Sequence, residues 1–262
     1  MRQADSGLDA EGFIRQVPRV PFQAEYRAVL TAVRSQLPTS MGSHLVALYV
    51  YGSVAEGCAR PGHSDLDLTL ILSDACPSAK VVELEHLRRA LELKHPEVSK
   101  IDFDIGRRAE ALAAGNRLSW GFWLKHHCRW MWGEDLARRF APFKPEVAIA
   151  RAVSGEVLPV LEGYLQTMAG CTLPAERLRL QREAARRLLR SLLVLRRPEE
   201  IDWPWTLEDH WARALRLHPE QGSALEFFYA EAQQPQAGAP EFGQRLAAFL
   251  GWFAQQPASP EC

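Results

Sequence analysis

VYGSVAEGCARPGHSDLDLTLIL, residues 50–72, is the stretch of sequence that decides the fold. An apolar run, HLVALYVYG, ends at Gly52-Ser53, and a second, DLDLTLIL, contains two aspartates one residue apart. Both runs have the length and the apolar, β-branched and aromatic composition of buried β-strands. Because residues i and i+2 of a strand point to the same side, Asp65 and Asp67 are predicted to project together from one face.

Two neighbouring carboxylates repel each other and are costly to remove from water. A divalent cation compensates both charges, and Mg²⁺ characteristically binds a few carboxylate oxygens together with substrate phosphate oxygens. Two such ions can hold the attacking and the leaving oxygen of a phosphoryl transfer. We therefore predict that Asp65 and Asp67 are metal ligands and catalytic residues.

The segment KIDFDIG, residues 100–106, repeats the alternation on a predicted third strand. If this strand neighbours the second, Asp102 or Asp104 completes the site, either as a metal ligand or by taking the proton of the attacking hydroxyl. Both aspartates fall on the same face, so the sequence leaves the choice between them open.

The Gly52-Ser53 turn supplies groups that bind an anion. A strand that ends in Gly-Ser and turns into a short helix presents backbone N–H groups and a hydroxyl. Gly52 adopts backbone angles closed to other residues, and Ser53 is predicted to cap the helix N-terminus and to donate to phosphate. The spacing is not that of a GxxxxGK[ST] phosphate-binding loop.

Gly52-Ser53, Gly57 and Ser64-Asp65-Leu66-Asp67 with the apolar run behind them resemble the signature of the DNA polymerase β-type nucleotidyltransferase superfamily, over about residues 45–107. The resemblance implies a small mixed sheet with helices, two Mg²⁺ ions, and transfer of a nucleoside monophosphate from a nucleoside triphosphate. It further implies that the third carboxylate is Asp102 or Asp104, and favours Asp102 as the third metal ligand. The nucleotide, with ATP as donor, is then expected to contact Gly52, Ser53 and Ser64.

A second resemblance rests on GFWLKHHCRWMWGEDL, residues 121–136, and on the helical remainder of the chain. This layout is similar to that of the bacterial aminoglycoside adenylyltransferases of the streptomycin/spectinomycin type, and it implies a hydroxyl of a small molecule as acceptor. Two alternatives stay open: an enzyme that adenylylates a protein, as the antitoxin type does, and a nucleotide-binding regulatory module without turnover.

The predicted fold class is α+β, with a nucleotidyltransferase domain over residues 1–144 and a C-terminal helical domain over residues 145–262. The helical part includes a very basic segment, residues 177–197. Its leucine spacing predicts a packed helix with a charged exterior. As an alternative, arginines such as Arg187 contact nucleotide phosphates.

The amino-acid composition indicates which kinds of binding partner and which cellular compartment to expect. The 262 residues carry 31 Lys+Arg and 32 Asp+Glu, a net charge of -1, which argues against binding to nucleic acid by bulk charge. Five cysteines without metal-ligand spacing predict no structural zinc and a reducing compartment. The acidic N-terminus is not typical of a signal peptide, and the sequence contains no apolar stretch of about 18 residues. We therefore expect a cytoplasmic protein without a membrane partner, whose oligomeric state the sequence leaves unknown.

Overall fold

The structure, a computed structural model, describes residues 7–256. The expectation on the N-terminal residues lies partly outside this range, and Cys262 lies outside it. The other four cysteines are free thiols. The described residues form two compact units. One consists of residues 15–143, and the other combines residues 144–256 with residues 7–14, a grouping that the predicted domains do not contain.

The unit of residues 15–143 is built on a four-stranded mixed sheet with the strand order β3-β2-β1-β4. Strand β1 pairs antiparallel with β2 and β4, whereas β2 and β3 run parallel. The strands are β1 Leu45–Tyr51, β2 Leu66–Leu72, β3 Ile101–Arg107 and β4 Arg129–Gly133. The four helices of this unit are α1 Arg27–Met41, α2 Gly52–Glu56, α3 Ser78–Lys94 and α4 Arg108–Leu112.

The parallel pairing of β2 with β3 follows from the connection between them. Parallel neighbours need a crossover, and the 17-residue helix α3 provides it. Its residues Arg88 and Glu92 hold the start of β3: Arg88 donates to the Ile101 carbonyl (3.0 Å), and Glu92 accepts the Ile101 N–H (2.7 Å). The order of the strands thus places the second aspartate pair beside the first.

The two faces of the sheet differ in character. One face presents apolar side chains such as Leu48, Leu68 and Leu70, all fully buried, and helices α1 and α3 pack against the sheet. Burial of one leucine of this kind contributes about 1.5–3 kcal/mol. The opposite face carries the aspartates and is therefore the face of chemical interest.

The aromatic stretch before β4 is not an ordinary helix. It forms two π-helical turns, Arg117–Gly121 and Trp123–His127, before the chain enters β4. The short strand β4 was not predicted from the sequence. Turns of this type are rare and are often found at functional sites.

The second unit is helical. Its apolar residues form one continuous core, to which Leu188, Phe228 and Phe242 contribute fully buried side chains. Its helices are α5 Val147–Ser154, α6 Val157–Gly170, α7 Pro174–Ser191, α8 Leu207–Leu217, α9 Gly222–Gln233 and α10 Ala239–Ala254. The predicted fold class, a small mixed sheet with a helical C-terminal part, is confirmed. Among residues 7–256, no helix combines the length and the apolar character needed to cross a membrane.

Candidate active site

The bend between β1 and α2 requires glycine. Gly52 has φ of +67°, and a side chain there would collide with a carboxylate oxygen of Asp67. Helix α2 ends at Glu56 and is capped by Gly57, again in the left-handed region (φ +76°), and the Cys58 N–H donates to the Ser53 carbonyl (3.0 Å). The helix begins at Gly52, so Ser53 lies in its first turn, and the expectation that Ser53 is the N-cap is wrong. The bend therefore presses directly against Asp67.

The strand register gathers the predicted acids on one face. In the parallel pair β2–β3, Asp67 lies opposite Asp102, and Thr69 lies opposite Asp104. Asp65 precedes Asp67 by two residues, immediately before β2 begins. We call Asp65, Asp67, Asp102 and Asp104 the aspartate cluster. The structure places all four on the face of the sheet that adjoins the Gly52 bend.

Burial and mutual repulsion make this cluster electrostatically unfavourable. Desolvation, reinforced by the negative charges of Asp65 and Asp102, raises the pKa of Asp67 from its ordinary value of 3.8 to about 7. Burial also raises the pKa of the Tyr51 hydroxyl, as do its hydrogen bond to Asp104 and the charge of that carboxylate. Protonation of Asp67, or a cation close to it, relieves this unfavourable charge.

Lys100, which the sequence did not single out, places its ammonium group against the cluster. Lys100 Nζ lies 2.6 Å from Asp102 Oδ2 and 3.7 Å from Asp65 Oδ2. Burial alone would lower the pKa of Lys100, but its hydrogen bond to Asp102 and the surrounding acids raise it above the ordinary value. The signal was available, because Lys100 stands two positions before Asp102, a spacing that places two side chains on the same strand face.

Aromatic side chains border the cluster on the Thr69 side. The Trp123 indole N–H donates to the Thr69 hydroxyl (3.1 Å), and the Trp123 ring meets the ring of Tyr51 edge-on at 4.7 Å. The Trp120 ring covers Gly106, where no side chain would fit. The π-helical turns thus place the rings of Trp120 and Trp123 beside the face that carries the aspartates.

The two remaining predicted nucleotide contacts lie in different surroundings. Ser64 closes a turn: its hydroxyl accepts the Arg60 N–H (2.9 Å), and its carbonyl accepts the Ser99 N–H (3.1 Å). Arg187 is on α7 in the helical unit, where its guanidinium donates to the Ser154 carbonyl. Ser64 therefore adjoins the aspartate cluster, whereas Arg187 is not among the residues that the sheet gathers.

The donor set fits a magnesium ion that arrives with a nucleotide. Within residues 7–256, no three His, Cys, Asp or Glu side chains converge as a ready-made metal site. Mg²⁺, however, commonly takes only one or two carboxylates and completes its shell with phosphates and water. Asp65 and Asp67 supply such carboxylates, and because burial and the charges of Asp65 and Asp102 raise the pKa of Asp67, a nearby cation would favour its charged form.

A mixed sheet of this strand order, with acids beside a glycine-serine bend and a helical unit after it, permits a comparison with solved structures. The fold is similar to that of a spectinomycin adenyltransferase. That protein, AAD(9) from Enterococcus faecialis, was solved with ATP and spectinomycin. The match has a TM-score of 0.53 at 12% sequence identity and covers 84% of this chain and 98% of AAD(9). No protein-family model and no curated protein sequence matches the chain.

The likeness to AAD(9) shows that the chain has a nucleotidyltransferase-like fold. At 12% identity it carries no information on which residues act or on which molecules bind. The chemistry of the site must therefore be argued from the residues of this chain.

The raised pKa of Asp67 predicts a dependence of stability on pH. Its folded-state pKa of about 7 lies above the ordinary value of 3.8, so the folded protein binds this proton more tightly than the unfolded chain does. The resulting stabilisation is complete below about pH 4 and is lost as pH rises through about 7. In EDTA, the free energy of unfolding should therefore fall between pH 4 and pH 8 by up to about 4 kcal/mol from this group.

Urea unfolding at several pH values measures this effect, with Asp67→Asn as the reference, because an amide does not titrate. The difference in unfolding free energy between the native protein and the variant should change across this range, and Mg²⁺ should restore stability to the native protein at pH 8. Parallel curves for the two proteins would show that Asp67 does not titrate as described.

Proposed function

We propose that this protein is a magnesium-dependent nucleotidyltransferase that moves AMP from ATP to a hydroxyl of a small molecule, with an aminoglycoside-type antibiotic as the leading acceptor. The observation that carries the proposal is the contact between the Gly52 bend and Asp67 at the edge of the aspartate cluster. It joins a turn suited to phosphate binding to a set of carboxylates that a divalent cation would stabilise. A cytoplasmic location, where ATP and Mg²⁺ are both present, is part of the proposal.

The residues divide into those that hold the triphosphate and those that hold its metal. The backbone N–H groups at Gly52 and Ser53, with the Ser53 hydroxyl, bind phosphate oxygens. Asp65 and Asp67 bind the Mg²⁺ that accompanies the nucleotide, with Asp102 beside Asp67. When bound, the ion neutralises phosphate charge and lowers the cost of charge build-up at the reacting phosphoryl group. Ser64 and Arg187 stay predicted nucleotide contacts.

The reaction needs a proton acceptor, and Asp104 is suited to this role. The acceptor oxygen bonds to the α-phosphorus, the bond from this phosphorus to the bridging oxygen breaks, and pyrophosphate leaves. The hydroxyl proton passes to the Asp104 carboxylate. Asp104 is exposed and forms no ion pair within the described part of the chain, whereas Asp102 is paired with Lys100. Tyr51 is a neighbour of Asp104, and the interaction with that carboxylate raises the pKa of the Tyr51 hydroxyl.

The two candidate third acids should respond differently to the same substitution. Asp104→Asn should lower kcat by about 10²–10⁴-fold with little change in Mn²⁺ affinity, because general-base catalysis contributes about this factor. Asp102→Asn should instead change Mn²⁺ affinity. Steady-state kinetics together with Mn²⁺ titration separate these effects. Equal kinetic and metal-binding changes in both variants would refute this division of roles.

The proposed function is tested by incubating the protein with α-labelled ATP, Mg²⁺, a panel of aminoglycosides that includes spectinomycin, and separately a cell extract. We expect label on a drug, released from the protein, and no label with Asp67→Asn. Label on a protein band would point to protein adenylylation instead. Binding of ATP without any labelled product would point to a regulatory module and against transfer.

A further inference from the structure

Lys100 is fixed in place by the backbone on both sides of it. Its carbonyl accepts the Leu66 N–H (2.9 Å), and the next N–H, that of Ile101, is held by Glu92 (2.7 Å). The neighbouring Ser99 hydroxyl donates to the other carboxylate oxygen of Asp65. The lysine side chain therefore leaves the sheet edge in the register that aims it at the aspartate cluster.

Stabilisation alone gives a weak reason for this arrangement. The Lys100 side chain keeps 45% of its surface exposed, and Asp102 keeps 44%. Ion pairs with such exposure contribute only about 0–1 kcal/mol to stability. The ammonium group nevertheless lies within 4 Å of two members of the cluster, the distances being 2.6 and 3.7 Å. It occupies the space between Asp65 and Asp102, where a cation would bridge the two strands.

On the basis of the proposed function, we propose that Lys100 is a resident cation of the aspartate cluster that competes with a divalent ion for Asp102. The tethered ammonium group neutralises one carboxylate in the metal-free protein. A dissolved ion must displace this ammonium group before it can bind Asp102. A divalent ion then binds with high affinity at Asp65 and Asp67, and a second ion, which uses Asp102, binds with low affinity. Lys100 is a positioning residue, and it sets how many metal ions the nucleotide complex holds.

Metal stoichiometry tests this inference. Free Mn²⁺ is measured by electron paramagnetic resonance during titration of the protein with an equimolar, non-hydrolysable α,β-methylene analogue of ATP. The native complex should bind one Mn²⁺ ion tightly and a second at least tenfold more weakly. Lys100→Met should tighten the second ion at least tenfold, and Lys100→Arg, which keeps the charge, should behave like the native protein.

Removal of the lysine also leaves the acids without their protein cation, so Lys100→Gln serves as a second neutral variant if Lys100→Met is unstable. Circular dichroism and thermal melting establish that each variant is folded. Asp102→Asn in the Lys100→Met background should abolish the gained affinity, because it removes the carboxylate that the second ion uses. A merely structural lysine would change melting without changing the number of bound ions.

The results separate this inference from the proposed function. Two ions of equal affinity in the native complex, unchanged in both neutral variants, would overturn the role of Lys100 and leave the nucleotidyltransferase proposal intact. If native protein and variants all hold no more Mn²⁺ than the analogue holds by itself, both the inference and the proposed metal site are overturned.

Discussion

Asp67→Asn should abolish nucleotidyl transfer while making the metal-free protein more stable at pH 8. The substitution removes the carboxylate that lies against the Gly52 bend, so kcat/KM should fall at least about 10³-fold, equivalent to about 4 kcal/mol of transition-state stabilisation. It also removes the most unfavourably placed charge, because burial and the neighbouring acids raise the pKa of Asp67 to about 7. The melting temperature in EDTA should therefore rise.

Glu25→Gln is the matched control, because it removes one negative charge from an exposed position of the same unit. It should leave both transfer and melting temperature close to native. Radiolabel transfer and differential scanning calorimetry measure the two effects. If Asp67→Asn retains near-native turnover, or if it melts below the native protein in EDTA, Asp67 is not the metal-binding acid described here.

Gly52→Ala should impair both stability and activity. At φ of +67° an alanine is strained, by about 1–2 kcal/mol, and its Cβ would collide with the Asp67 carboxylate. The chain must shift the bend or the aspartate, so the free energy of unfolding should fall by about 2–4 kcal/mol in total. Because the same shift separates the phosphate-binding turn from the metal ligands, kcat/KM should fall at least about 100-fold.

Gly57→Ala separates the effect of backbone strain from the effect of disturbing the contact between the Gly52 bend and Asp67. Gly57 lies five residues further on, at φ of +76°, and its Cβ would meet only a Val20 methyl at 3.3 Å. The Gly57→Ala variant should lose about 1–2 kcal/mol of unfolding free energy and keep most of its transfer activity. Chemical unfolding and transfer assays on both variants decide the matter. Equal losses of activity at the two glycines would show that strain in α2, and not the contact with Asp67, explains the effect.

Local patterns predicted the part of the sheet that carries the aspartates. The alternation in DLDLTLIL and KIDFDIG fixes which side chains share a face, and the helix between them forces a parallel crossover. The alternation alone does not give register. That Asp67 lies opposite Asp102, while Asp104 lies one step along beside Thr69, depends on pairing between strands, which sequence spacing does not determine.

Other features were beyond sequence reasoning for identifiable physical reasons. Strand β4 is only five residues long and rich in tryptophan, so no alternation marks it. The spacing of Lys100 and Asp102 indicates a shared strand face, but their ion pair is established only by the distance of 2.6 Å between Nζ and Oδ2. The N-cap of α2 is Tyr51, two residues before the predicted cap Ser53, because the helix already begins at Gly52. Helix boundaries are commonly uncertain by this amount.

A crystal structure of the protein with Mg²⁺ and a non-hydrolysable ATP analogue tests the proposed site most directly. We predict electron density for the triphosphate against the backbone of Gly52 and Ser53, and a Mg²⁺ ion about 2.1 Å from carboxylate oxygens of Asp65 and Asp67. A nucleotide bound elsewhere, or an ion that neither aspartate touches, would contradict the nucleotidyltransferase proposal and leave the nucleotidyltransferase-like fold as the established result.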